Sequence, residues 1–260
     1  MDFVQEIMFD FDRFGFMEHQ FPNAIGMWTE EQESLVWCCN NVDASMNWVE
    51  IGSFMGGSAV LMCLARQKLN NKPSVISVDI DFDKWNRAFD KNVYRVGKFN
   101  KIHKKIEKSS WSLTSGDLGP LSLAFIDGWH SFKGAYLDFK IVNQNMIKNG
   151  IVLFHDVAKQ PYEPNAIDKY YQKYLSNKKE LEEEVLPTGK FANNNEYFAA
   201  EKKQNFYLDE VVAVIVKEHD YEIVELPTIY GQTHWDRVSD YVHGSTSPYP
   251  SIVALRKTKD

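Results

Sequence analysis

The sequence predicts an α/β domain in which a mostly parallel sheet carries helices on both faces. Short apolar runs recur as strand candidates, stretches with helical periodicity separate them, and the first run closes on an acid and a glycine, as buried strands do. With 260 residues, 44% hydrophobic and 25% charged positions, the chain has enough apolar material for a core without staples. Disorder and fibrous repeats are excluded, and one domain over 1–260 with insertions is the expected organisation.

The elements follow in chain order. Residues 1–28 form an N-terminal extension whose aromatics either cover a core edge or make a dimer contact. Thr29-Glu-Glu-Gln32 reads as a capping box opening a packed helix. Asn47-Trp-Val-Glu-Ile-Gly52 is the first strand and its turn. From Gly57 to Leu69 the apolar positions run nearly all round, which predicts a buried helix. Ser74 to Asp79 is the second strand, and Trp85, Ala88, Phe89 and Val93 recur at helical spacing. A weaker strand spans Ile102 to Ile106, with a turn of helix at Ser110, and Leu121 to Ile126 is strong. Phe132, Ala135, Tyr136, Phe139, Val142 and Met146 mark the inner face of a further helix, stopped by Asn149-Gly150 before the strand Ile151 to Phe154. Residues 157–207 break the rhythm with prolines, a helix carrying Ile167, Tyr170, Tyr171 and Tyr174, and the charged run Lys178 to Glu184, read as a solvated helix face. Residues 228–250 form a long loop between the strands Tyr221 to Leu226 and Ser251 to Arg256; loops of that length in a compact domain are usually functional.

A net charge of −7 and the lack of a basic stripe argue against nucleic-acid binding. Three cysteines without a C-x-x-C pair fit neither a disulfide framework nor a zinc cluster, so a reduced, cytoplasmic setting is expected. The start lacks the basic and apolar regions of a signal peptide, and the longest aliphatic run, Val211 to Val216, is far short of a membrane span.

Ligands of a parallel α/β sheet bind beyond the carboxyl ends of its strands. There, Glu50-Ile-Gly-Ser-Phe-Met-Gly-Gly-Ser58 places glycines at 52, 56 and 57 between strand and helix. The spacing G-x-x-x-G-G is not the dinucleotide G-x-G-x-x-G, and points to a nucleoside without pyrophosphate. Asp79 closes the neighbouring strand, where a carboxylate accepts both ribose hydroxyls; Asp81 and Asp83 read as solvated helix-start residues. Asp127, His130, His155 and Asp156 follow two central strands and share one mouth of the sheet.

These segments resemble the class I S-adenosylmethionine-dependent methyltransferases. Val49-Glu-Ile-Gly-Ser-Phe-Met-Gly-Gly-Ser58 is similar to their first motif and Val78-Asp79 to their ribose-binding acid. Phe125-Ile-Asp-Gly-Trp-His-Ser-Phe132, Asp138 and Lys148-Asn-Gly-Ile-Val-Leu-Phe-His-Asp156 resemble the methyltransferase-24 branch, which includes macrocin-type sugar O-methyltransferases. The resemblance implies a Rossmann-like seven-stranded sheet of order 3-2-1-4-5-7-6 with the last strand antiparallel. It implies S-adenosylmethionine held by Glu50, Gly52, Ser53, Gly56, Ser58, Asp79, Ser110, Trp111 and Asp127, with Trp111 read either as an adenine neighbour or as a core aromatic. It implies His130 as general base with Asp127, the alternative for His130 being a helix-start cap, and Mg²⁺ on Asp127, Asp156 and His155. His155 replaces a carboxylate of related enzymes, and an imidazole is a poorer ligand for hard Mg²⁺.

The implied reaction is O-methylation of a sugar or glycoconjugate hydroxyl, with a catechol-like small-molecule acceptor as the alternative. A nicotinamide-dependent oxidoreductase and a non-catalytic nucleoside-binding module are the rivals from other classes. The acceptor site is expected from 157–207 and 228–250, with Tyr230, His234, Trp235, Asp236, Tyr241 and His243 in the second and Trp129 beside the base. A homo-oligomer is compatible with the sequence.

Overall fold

The computed structural model describes residues 2–13, 27, 29–70, 73–83, 88–157, 165–187, 190–191, 196, 200, 207–226 and 252–260. Seven strands form one sheet in the order β3-β2-β1-β4-β5-β7-β6. They are β1 Asn47–Ile51, β2 Val75–Asp79, β3 His103–Glu107, β4 Leu121–Ile126, β5 Met146–Phe154, β6 Tyr221–Val224 and β7 Val253–Lys257. Strands β1 to β5 run parallel, whereas β7 lies antiparallel between β5 and β6, with Phe154 opposite Val253 and Val224 opposite Ala254. The expected order and the antiparallel last strand are therefore as the sequence implied.

Central strands are largely apolar because both faces are covered, and successive side chains alternate between two cores. Trp48, Leu123, Phe125 and Leu153 face one side, where α1 Phe3–Arg13, α2 Thr29–Asn40 and α3 Gly57–Lys68 pack. Val49, Ile51, Ala124, Ile126 and Phe154 face the other, against α6 Phe132–Asn143, α7 Ala166–Glu183 and α8 Leu208–Glu218. In α1, Ile7 and Phe11 are buried, so the described part of the extension covers a core edge. The run Lys178 to Glu184 closes α7, and within it only Leu181 is buried.

Local differences from the sequence reading have physical causes. After β2, α4 Ala88–Asp90 runs into a π-helix, Lys91–Val96, and Trp85 lies outside the described residues. Thr29 is already helical and Gln32 donates to the Met27 carbonyl at 2.9 Å, so the expected reciprocal cap is replaced by a side-chain tie to the preceding turn. A short helix α5, Ser115–Leu118, precedes β4 and does carry a capping box, from Thr114 and Asp117.

Helix α6 stops at Asn143, not at Asn149-Gly150, and Met146 belongs to β5. Met146 follows Val142 by four positions and is buried, which mimics a helical stripe. The chain has already turned: Asn145 donates to Val142 O, and its carbonyl accepts Leu121 N at 2.8 Å. Between the pairs Leu121–Met146 and Leu123–Ile151, β5 carries extra residues as a bulge. Asn149, at φ 63°, and Gly150, where a Cβ would lie 2.3 Å from Met146 Sδ, turn that bulge.

Candidate active site

The glycines after β1 create the site by letting strand ends meet. Gly52 has φ +84°, and a Cβ there would fall 2.0 Å from the Asp127 carbonyl oxygen, so the β1 and β4 ends close up only around glycine. Gly56, at φ +85°, caps α3, and a Cβ would strike the Phe89 ring at 2.9 Å. The turn leaves an open cleft beyond the ends of β1, β2 and β4.

The cleft is lined in part by Gly52, Asp79, Ser110, Trp111, Asp127 and Trp129. The Asp79 carboxylate is pre-set by two backbone donors, Ser53 N and Asp81 N, each at 3.0 Å. Asp138, reaching in from α6, accepts the Ser110 hydroxyl at 2.5 Å. It is 1% exposed, and burial pushes its carboxyl up to about 7 against the pull of Ser110.

Glu50 stands elsewhere: it is fully buried on the α3 side, accepting from Ser58 Oγ and Ser77 Oγ, both at 2.5 Å. Ser77 continues to His103 Nε2 at 2.7 Å, and His103 Nδ1 meets Tyr94 OH at 2.8 Å. Burial raises Glu50 to about 7 and lowers His103 to about 4. Glu50, Ser53, Gly56 and Ser58 thus shape the turn from behind, outside the cleft lining.

The reacting end is built from β4 and β5. His130 Nε2 lies 3.2 Å from Asp127 Oδ1 and 3.5 Å from Asp156 Oδ2. Burial disfavours a charged His130, but the Asp127 and Asp156 carboxylates outweigh it and raise the imidazole above its ordinary value. Burial likewise opposes ionisation of Asp127, and His155 and His130 reverse the balance and lower its carboxyl. Asp156 has φ 57°, a left-handed backbone that an aspartate adopts only at a cost of about 1–3 kcal/mol, as strained functional positions do.

Both ring nitrogens of His155 are engaged with carboxylates. Nδ1 faces Asp127 Oδ1 at 3.1 Å and Asp156 Oδ1 at 3.5 Å, and Nε2 faces Glu31 Oε2 at 3.1 Å. Burial works against its charge, but Asp127 and Asp156 hold the imidazole well above the usual histidine range. His155 Nδ1 thus faces the same two carboxylates as His130 Nε2 does, with its other nitrogen turned to Glu31. Among the described residues, Asp127, His130 and Asp156 do bring one donor atom each to within 4.8 Å of one another. Two carboxylate oxygens and one imidazole nitrogen fit a divalent ion.

Sequence reasoning missed two contributors, Glu31 and Asp138. Glu31, wholly buried on α2, looked like one of two acids at a helix start. Asp138 carried no role. Pro187 and Phe191 also line the cleft, with Phe191 stacked on Trp129 at 6.2 Å and 15° and Lys190 paired with Asp81 and Glu107. Tyr230, His234, Trp235, Asp236, Tyr241 and His243 lie outside the described residues.

Comparison with known proteins agrees with this geometry. A family model described as a methyltransferase domain of the methyltransferase-24 type matches residues 49–157. No curated protein matches the chain. Among solved structures, the S-adenosylhomocysteine-bound methyltransferase PaMTH1 of Podospora anserina is 15% identical, with a TM-score of 0.53 over 100% of this chain and 89% of that one. The S-adenosylmethionine-bound O-methyltransferase TomG of Streptomyces achromogenes, involved in tomaymycin synthesis, is 10% identical, with a TM-score of 0.53 over 97% and 90% of the two chains. At such identities the likeness establishes a shared fold.

Proposed function

We propose, from the class I S-adenosylmethionine-dependent methyltransferase domain that residues 49–157 form, that this chain methylates a hydroxyl oxygen of a small molecule, with a sugar or glycoconjugate as acceptor. The observation that carries the reading is the adjacency of the Asp127, His130 and Asp156 cluster to a cleft whose other end presents Asp79. Asp79 would hold the ribose of S-adenosylmethionine, which would supply an electrophilic methyl for in-line attack by the acceptor oxygen. Alignment supplies much of the rate, since oriented reactants reach effective molarities of about 10⁵ M or more.

A sugar hydroxyl is a weak acid and must lose its proton as the new C–O bond forms. The proton comes to rest on His130 Nε2, between Asp127 Oδ1 and Asp156 Oδ2, whose charges stabilise the imidazolium. His155, clamped between Glu31 and Asp127, fixes the direction of the Asp127 carboxylate. A divalent ion held by the Asp127 and Asp156 carboxylates, with Mg²⁺ the ion proposed, would supply Lewis-acid polarisation of the acceptor oxygen, with the His130 imidazole kept for the proton.

Trp129 supports the sugar reading, because a flat indole beside hydrogen-bonding groups packs against sugar C–H bonds. The resemblance to the sugar-methylating branch and the aromatic composition of 228–250 support it as well. Transfer of labelled methyl from S-adenosylmethionine to a panel of nucleotide sugars, glycosides and catechols tests the reading. Labelled glycosides are expected; methylation confined to phenols would replace the sugar with a catechol-like acceptor.

A further inference from the structure

We infer that Asp138 sets the polarity of the Ser110 hydroxyl, so that the cleft selects the 6-amino purine of the cofactor over its 6-oxo analogue. This rests on the cofactor reading above. With the ribose at Asp79 and the methyl at Asp127 and His130, the purine is left the end of the cleft lined by Lys108, Ser109, Ser110 and Trp111, where Asp138 also contributes.

A serine hydroxyl has one hydrogen to donate and lone pairs with which to accept. Ser110 spends that hydrogen on Asp138 Oδ1, an ionised carboxylate being able only to accept. What Ser110 then offers the cleft is a lone pair. Adenine meets it with the amine at position 6, a donor, whereas hypoxanthine carries a carbonyl oxygen there and would set acceptor against acceptor.

The surroundings hold this arrangement in place. Ser110 is 8% exposed and sits in a turn of 3₁₀ helix, Ser110–Ser112, with Leu113 N donating to its carbonyl. Asp138 reaches it from α6 by passing close to Gly128, where a Cβ would lie 2.9 Å from Asp138 Oδ2. A glycine directly after the reacting acid Asp127 is therefore the clearance that lets the second acid read the purine end.

The test is calorimetric titration of S-adenosylhomocysteine and S-inosylhomocysteine at pH 8.5, where Asp138 is ionised. The wild type is expected to bind the adenosyl compound at least about tenfold more tightly, since a site that hydrogen-bonds one group rejects the analogue lacking it. Asp138→Asn lets an amide donate to Ser110 and frees its hydrogen, so the preference should fall to within about threefold of unity or reverse. Ser110→Ala should also bring the ratio near unity, and it decides the matter if Asp138→Asn does not fold. A structural role for Asp138 weakens both ligands alike; an unchanged ratio in both variants overturns the inference while leaving the cofactor reading intact. Failure of the wild type to bind either compound overturns both.

Discussion

Asp79 has both carboxylate oxygens held by backbone donors, Ser53 N on one and Asp81 N on the other, before a ribose reaches it. Asp81 pairs instead with Lys190. Asp79→Ala is expected to weaken S-adenosylhomocysteine binding at least about tenfold, roughly 1.4 kcal/mol, and Asp81→Ala to change it less than about threefold, both read by calorimetry. His130→Ala should lower kcat by about 10² to 10⁴ with little change in cofactor affinity. Because its imidazole is raised above 6.5, activity should rise with pH through an apparent pKa above that value, and Asp156→Asn should move this limb to lower pH. Full activity after exhaustive chelation would assign the step to the imidazole rather than an ion. Asp79, Asp127 and Asp156 were legible because each sits at or just past a strand end, a position that topology alone points at the ligand. Glu31 and Asp138 were not, since each acts through a partner 124 or 28 residues away that no local pattern marks.

At the scale of elements, α2 is tied to β5 by a buried ion pair. Glu31, at 0% side-chain exposure, faces His155 Nε2 at 3.1 Å, and His155 reaches on to Asp127. Removing Glu31 strips His155 Nε2 of its contact while Asp127 and Asp156 still face Nδ1, so Glu31→Ala should cost about 2 kcal/mol in urea unfolding. The double variant Glu31→Ala, His155→Ala should lose clearly less than the sum of the single losses; additive losses would show that the two do not interact. Element identity was largely readable, since the apolar runs of β1, β2 and β4 and the stripe of α6 obey their periods. The end of α6 was not. Val142 and Met146 are buried on helical spacing, yet they belong to a helix and to the following strand, and only the polar Asn143-Gln-Asn145 between them marks the turn.

For the whole molecule, the two cores each enclose an acid whose ionisation burial opposes, Glu50 on the α3 side and Asp138 on the α6 side, both raised to about 7. Their unfolded carboxyls ionise near 4.5 and 3.8, so between those values and 7 the folded protein binds more protons than the unfolded chain. Stability contributed by these groups therefore falls as pH rises through that window and levels off above 7. His103 acts with the opposite sense, because it is lowered to about 4 and folding loses stability as pH drops below 6.5. The contribution of Glu50 can be separated by substitution. A displacement from 4.5 to about 7 corresponds to roughly 3 kcal/mol at most, at about 1.4 kcal/mol per pH unit. Glu50→Gln keeps the shape and removes the ionisation, with Ser58 and Ser77 still within reach as hydrogen-bonding partners. Urea unfolding of wild type and variant at pH 5 and pH 8 should show the wild type losing more stability than the variant over that interval, by up to about 3 kcal/mol. Equal losses would mean that Glu50 ionises as freely in the folded protein as in the unfolded chain, and that water reaches the back of the cofactor turn.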